Sequence, residues 1–208
     1  MDKKISDYFE KPDIVGIISD VNEGKTNLIY HLIEELKKSC SFNLVTFGLK
    51  FEIEDAKTIN SLEQLESCRD SLIFLDEFYT LFDLDDRKKK RQIEKTLRLI
   101  HHSNNILALV GVPENFKKFI SSKIATCFYK KVKINDFING SNVKGNLISY
   151  EGKGMGNKML NLKRDEVLVF DGDYRIFNVP YLLKYDSKIN NKDIFVEKKR
   201  AEKVEENV

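Results

Sequence analysis

Apolar residues come in two spacings along this chain. Short, nearly unbroken runs at 13–19 (DIVGIIS), 42–49 (FNLVTFGL), 71–78 (SLIFLDEF) and 105–113 (NILALVGVP) are rich in β-branched residues and have the length of strands buried on both faces. Between them the apolar residues recur at helical spacing. Leu28, Leu32, Ile33 and Leu36 share one face of 25–38 (KTNLIYHLIEELKK), and Ile93, Leu97 and Ile100 share one face of 86–103 (DRKKKRQIEKTLRLIHHS) behind a basic flank. The segment 61–68 (SLEQLESC) reads as a short helix, and Pro113 closes the last strand because it has no N–H to give a ladder. Strands that alternate with helices predict an α/β domain whose central sheet is mainly parallel and covered by helices on both faces.

Beyond Pro113 the texture changes. A helix is expected over 114–125 (ENFKKFISSKIA), then a half-buried strand over 126–134 (TCFYKKVKI) and a Gly- and Asn-rich stretch over 135–146. Strands follow at 146–152 (NLISYEG), 166–172 (EVLVFDG) and 174–185 (YRIFNVPYLLKY), around the loop 152–165, and Asp171-Gly172-Asp173 has hairpin-turn chemistry. One domain over 1–196 is expected, with 1–12 as an N-terminal arm and 114–196 as a strand-rich part bearing β-hairpin additions; 197–208 is a charged tail without apolar periodicity, expected to be disordered.

Composition narrows the classes. At 208 residues, with 41% apolar and 33% charged residues and a net charge of +2, the chain can bury one sizeable core and is far from the strong positive charge of a nucleic-acid coat, so any polyanion-binding surface must be local. Cys40, Cys68 and Cys127 stand at no metal-ligand or disulfide-framework spacing and read as reduced thiols. No window is long and apolar enough to span a bilayer, and residues 1–13 lack the apolar core of a signal peptide, so a cytoplasmic protein without membrane insertion of its own is expected.

The chemistry concentrates where strands end. SDVNEGKT (19–26) lies between the first strand and the first helix and matches GxxxxGK[ST] except that Ser19 replaces the first glycine. A phosphate-binding loop needs backbone N–H groups converging on one cavity, a helix N-terminus behind them, a lysine for the outer phosphates and a hydroxyl for Mg²⁺. Ser19, Asp20, Val21, Asn22, Glu23, Gly24, Lys25, Thr26 and Asn27 are the nucleotide-binding candidates, with Lys25 also catalytic and Thr26 also a metal ligand. The bland alternative is a plain loop whose helix is capped by Asn22 or Thr26. LIFLDEF adds Asp76 at the end of a second strand, a candidate Mg²⁺ ligand, with Glu77 beside it to activate water; here the bland alternative is that Asp76 caps the next turn. The pair of motifs points to an ATP-binding, ATP-hydrolysing site with ATP and Mg²⁺ as cofactors, and the absence of an NKxD-like motif argues against guanine reading.

The Asp76-Glu77 pair, with a strand fitting between the phosphate-loop strand and the Asp76 strand, resembles the additional-strand, catalytic-glutamate division of P-loop proteins. Three further stretches resemble FtsK/HerA-type DNA-pumping ATPases: the basic helix running through HHSN into ILALVGVP, the strand ATCFYKKVKI, and the terminal hairpin LKRDEVLVFDGDYRIFNVPYL. The resemblance covers about residues 12–185 and implies a RecA-like P-loop NTPase fold. It also implies a homo-oligomeric hexameric or pentameric ring around double-stranded DNA, with ATP hydrolysed between subunits. The compact length is similar to genome-packaging ATPases of membrane-containing icosahedral viruses, whereas the related Zot-like proteins usually bear a transmembrane segment. The implied role is a packaging motor of a virus or mobile element, docking on a capsid or membrane protein and sitting, if viral, at a virion vertex. The alternative is a nucleotide-dependent switch or scaffold; a small-molecule kinase fits less well, for want of an Arg-rich lid.

The chain also departs from the family pattern. The polar sensor expected near the end of ILALVGVP falls on Gly111, which has no side chain, and Asn104 and Asn105 stand at the strand's other end. The strand that commonly carries a trans-acting arginine finger reads YKK, which puts Lys130 or Lys131 there; Arg98, Arg164 and Arg175 are the other candidates, and an arginine's planar fork suits a transferring phosphoryl group better. Arg87, Lys88, Lys89, Lys90 and Arg91 form a cation cluster dense enough to contact a DNA backbone, or else a solvated helix start. His101 and His102 suit a helix C-terminus, and 152–158 (GKGMGNK) reads as a mobile, pore-facing loop.

Overall fold

The computed structural model describes residues 3–20, 22–38, 42–49, 53–82, 87–131, 161–180 and 182; the strand expected at 146–152, the loop at 152–158, the tail and Cys40 lie outside them. The apolar runs form strands β1 (Ile14–Ile18), β2 (Asn43–Phe47), β4 (Ser71–Asp76) and β5 (Ile106–Gly111), and a two-residue strand β3 (Lys57–Thr58) joins them. After these come β6 (Thr126–Tyr129), β7 (Glu166–Phe170) and β8 (Tyr174–Asn178). The helices are α1 (Lys25–Leu36), α2 (Leu62–Ser67), α3 (Phe78–Phe82), α4 (Arg87–Leu99) and α5 (Lys118–Ser121).

One eight-stranded sheet runs β3-β2-β4-β5-β1-β6-β7-β8. Strands β3 to β6 pair in parallel, and β7 and β8 extend the sheet antiparallel as a hairpin. The hairpin turns at Asp171–Asp173, where Asp171 N–H donates to the Asp173 carbonyl and Gly172 supplies a φ of 107°. Every residue of β1, β4 and β5 is buried, as expected of parallel strands covered on both faces.

Successive side chains divide between two cores. Val15, Ile17, Phe74, Ala108 and Val110 meet Leu28, Ile29, Leu32, Ile33 and Leu36 of α1 on one face. Ile14, Ile18, Ile73, Leu75, Leu107 and Leu109 meet α2 to α5 on the other, through Leu65, Phe78, Phe82, Ile93, Leu97 and Ile120. This is the α/β architecture expected, with the hairpin addition at the sheet's edge.

Two expectations need correction, and one element has no counterpart in the sequence reading. The supposed N-terminal arm forms a 3-10 turn (Ile5–Phe9) that belongs to the α1-side core: the Phe9 ring is fully buried 5.5 Å from that of Phe128 and 6.2 Å from that of Phe74. The helix expected over 114–125 is only α5, because Pro113–Asn115 close a 3-10 turn and Phe116 leaves helical space at ψ 69°. Helix α3 was not foreseen. It starts immediately after Glu77, whose carbonyl accepts from Thr80 N–H and hydroxyl.

Candidate nucleotide-binding site

β1 delivers its C-terminal end to the loop. Ser19 is fully buried; its N–H donates to the Gly111 carbonyl at 3.3 Å and its hydroxyl to the Asp20 carbonyl at 2.8 Å. A serine is thus accommodated where the pattern has glycine. Asn22 and Gly24 both take left-handed conformations (φ 66° and 85°), which turn the chain back onto α1. Gly24 is the helix N-cap and its carbonyl receives Leu28 N–H at 3.0 Å. No side chain caps α1, so neither Asn22 nor Thr26 plays that part. The N–H groups at the start of α1, with the positive end of a twelve-residue helix behind them, are donors of the kind that can hold an anion.

Lys25 and Thr26 are half-buried there, as is Glu23, while Asp20 is buried. The Asn27 side chain faces elsewhere: its Nδ2 donates to the Pro180 carbonyl at 3.2 Å and its Oδ1 accepts from Leu182 N–H at 2.9 Å, tying α1 to the segment after β8 and leaving only its backbone N–H for a ligand at the loop. Val21 lies outside the described residues.

The acid pair sits at the same edge of the sheet. β5 lies between β1 and β4, with Gly111 in register with Ile18 and Val110 with Asp76. Asp76 is buried, and its Oδ1 accepts from Glu77 N–H at 3.1 Å, so the turn-capping contact does exist. Glu77 is exposed and held at φ 50°, a left-handed conformation that costs a non-glycine residue about 1–3 kcal/mol and clusters at functional sites. The Thr26 hydroxyl and the Asp76 carboxylate are hard oxygen donors, the donor chemistry that suits Mg²⁺.

The predicted cations separate. Lys130 is buried against its own loop: its Nζ donates to the Arg164 carbonyl at 2.5 Å and the Glu166 carbonyl at 2.8 Å, and a Cβ built on Gly24 would lie 3.9 Å from it. Burial lowers its pKa to about 8. A finger acting on a neighbour must leave its own subunit, so a buried, internally bonded Lys130 does not match that expectation. Lys131, Arg98 on α4, Arg164 before β7 and Arg175 on the edge strand β8 are all exposed. Lys89, Lys90 and Arg91 are exposed on α4, with the Lys90 ammonium 4.8 Å from the centre of the Phe119 ring; Arg87 and Lys88 belong to α4, but their side chains lie outside the described residues.

His101 and His102 form a 3-10 turn just past α4, with His101 Nδ1 2.7 Å from the Pro12 carbonyl. Asn104 Nδ2 donates to Asp70, and Asn105 pairs with Ser71 N–H and the Cys68 carbonyl, all at the far end of β5 from the loop. Among the described residues, Cys68 and Cys127 are free thiols, and burial pushes the Cys127 pKa up to about 11.

Two glycines shape this edge: Gly48, which sequence reading missed, and Gly111, which it marked only as a sensor position without a side chain. Gly48, just past β2, takes φ 74°, and a Cβ built on it would fall 2.5 Å from the Asp76 carbonyl oxygen. At Gly111 a Cβ would meet the Phe78 ring at 3.1 Å, the Phe116 ring at 3.4 Å and Asn115 Nδ2 at 3.5 Å, so the strand end is filled by neighbours. The local signal for Gly48 is its place after Phe47, closing a strand run.

Compared with protein-family models and with curated proteins, the chain matches none. Among solved structures it is similar to the DNA-packaging ATPase of Sulfolobus turreted icosahedral virus, with a TM-score of 0.61 and 17% identity over 82% of this chain and 99% of that one. The genome-packaging NTPase of Sulfolobus turreted icosahedral virus 2, in complex with ATPγS, gives a TM-score of 0.58 at 18% identity over 82% of this chain and 98% of that one. The conjugation coupling protein TcpA, in monomer form with ATPγS, gives 0.56 at 13% identity over 90% of this chain and 65% of that one. With the loop and the acid pair at one edge of the sheet and β5 between their strands, the chain has the RecA-like α/β fold that these solved structures share.

Proposed function

We propose that this protein is an ATP-hydrolysing translocase of double-stranded DNA, a genome-packaging motor of a virus or mobile element that works as a homo-oligomeric ring. The observation that carries the reading is the placement of SDVNEGKT and Asp76-Glu77 at one sheet edge with β5 between their strands. It is supported by the match to nearly the full length of a DNA-packaging ATPase. The N–H groups at the start of α1 and the Lys25 ammonium hold the phosphates of ATP. Thr26 and Asp76 supply oxygens for Mg²⁺, which when bound neutralises charge on the phosphates. Glu77, exposed at the strand end, accepts a proton from the attacking water. Double-stranded DNA is the proposed partner, met through the α4 cations Lys89, Lys90 and Arg91. Arg98, Arg164 and Arg175 are exposed and remain the fingers available to a neighbouring subunit.

Steady-state ATP hydrolysis with and without long double-stranded DNA tests this reading. DNA stimulates the wild type, and Glu77→Gln abolishes turnover while retaining ATP binding; turnover indifferent to both changes refutes it. A nucleotide-dependent switch is favoured by one observation, the absence of a side chain at Gly111. It predicts a monomer or dimer at every ATP concentration by size-exclusion mass, where the motor predicts a ring.

A further inference from the structure

The orphaned donor beside Gly111 carries the inference. Asn115 Nδ2 is buried and has no hydrogen-bond partner among the described residues. Buried amide donors are almost always paired, and an unpaired one in a native fold calls for a physical reason. Its position supplies that reason. Gly111 ends the strand that separates β1 from β4, its carbonyl receives Ser19 N–H, and the preceding residue is in register with Asp76. A group at this strand end therefore stands between the first residue of the phosphate loop and the acid pair. Gly111 offers none of its own, and the direction its Cβ would take leads to Asn115 Nδ2 at 3.5 Å.

The surroundings link this amide to the acid pair. Phe116 follows Asn115 and Phe78 follows Glu77, and the two rings pack with centroids 5.0 Å apart at 64°. Both also lie close to where a Cβ on Gly111 would stand, at 3.4 Å and 3.1 Å from it. A larger residue at 111 would displace them, so the glycine is the space that lets this ring pair exist. Phe78 and Asn115 Nδ2 thus converge on the space left at Gly111, and Phe78 is bonded to the left-handed Glu77.

We propose that Asn115 reads the γ-phosphate of bound ATP, its side-chain amide donating from the turn after β5 in place of the side chain that Gly111 lacks, and that the Phe116–Phe78 contact carries this occupancy to Glu77. The inference rests on the proposed function and deepens it by naming the residue that distinguishes triphosphate from diphosphate.

The test uses the full chain, the wild type and the variants Asn115→Ala and Asn115→Asp. Affinities for ATPγS and ADP, steady-state ATP hydrolysis and the urea unfolding midpoint are measured for each. In Asn115→Ala the preference for ATPγS over ADP falls about tenfold and hydrolysis about a hundredfold, the scale of losing one preorganised donor at a reacting centre. ADP affinity stays at the wild-type level, and the unfolding midpoint is unchanged or higher because an unpaired buried donor is gone. Asn115→Asp, equal in size but with the donor replaced by an acceptor, loses the triphosphate preference more completely. Wild-type hydrolysis and preference in Asn115→Ala overturn the inference, as does an equal loss of ATPγS and ADP affinity accompanied by a lowered midpoint. A wild-type chain that binds neither nucleotide overturns the proposed function and this inference together.

Discussion

The smallest residues set the geometry of the acid pair. Gly48 lets the end of β2 pass the Asp76 carbonyl so closely that a Cβ there would stand 2.5 Å from its oxygen. Gly48→Ala is expected to lower turnover at least tenfold with nucleotide affinity retained, because the Asp76–Glu77 peptide must move. Gly48→Asn separates causes: asparagine tolerates a left-handed φ but still carries a Cβ, so it should be equally impaired in turnover, and a rescued rate would show that backbone freedom alone is needed. Lys130 gives a prediction in pH. Its folded pKa of about 8 lies below the ordinary lysine value of 10.5. Between those values the unfolded chain binds the additional proton, so this residue makes the fold more stable as pH rises from about 8 to about 10.5. The groups around it are Glu23, Arg164, Asp165 and Glu166. Urea unfolding of Lys130→Met across that window should lose this rise; an undiminished rise contradicts the assignment. Gly24, Lys25, Thr26, Asp76 and Glu77 stand out in the sequence as candidates because their chemistry is written in adjacent positions. Gly48 and Asn115 could not, since each is defined by a neighbour from another strand or turn.

At the scale of elements, the strands were legible because burial on both faces leaves unbroken apolar runs, and α1 because six of its residues face a single core. The short pieces were not. A two-residue β3 has no period, and α3 lies within FYTLF, where the apolar run of β4 continues in composition after the backbone has turned at Glu77. The 3-10 turn at Ile5–Phe9 carries an expectation that an arm would not meet: Phe9→Ala should cost about 3–5 kcal/mol in urea unfolding, the range for a deleted buried phenylalanine. A cost under about 1 kcal/mol, the scale of an exposed substitution, would show that this segment is dispensable to the core.

At the scale of the whole molecule, the sequence implied a strand between β1 and β4 without settling which segment fills it. That strand is β5, which comes last of the three in the chain, while β2 lies on the far side of β4. Sheet order follows from how crossovers pack, and hydrophobic period carries no record of it. This order brings the candidate phosphate loop, the acid pair and the Gly111–Asn115 corner to one edge, and it places the exposed cations of α4 on a separate helix of the same body. A translocase must turn hydrolysis at the first into movement at the second. The most direct measurement is displacement of a third-strand oligonucleotide from a triplex on linear double-stranded DNA, with purified protein and ATP. The account predicts that the wild type strips the third strand only when ATP is hydrolysed and that Glu77→Gln leaves it in place; ATP turnover by the wild type with the triplex intact would contradict it.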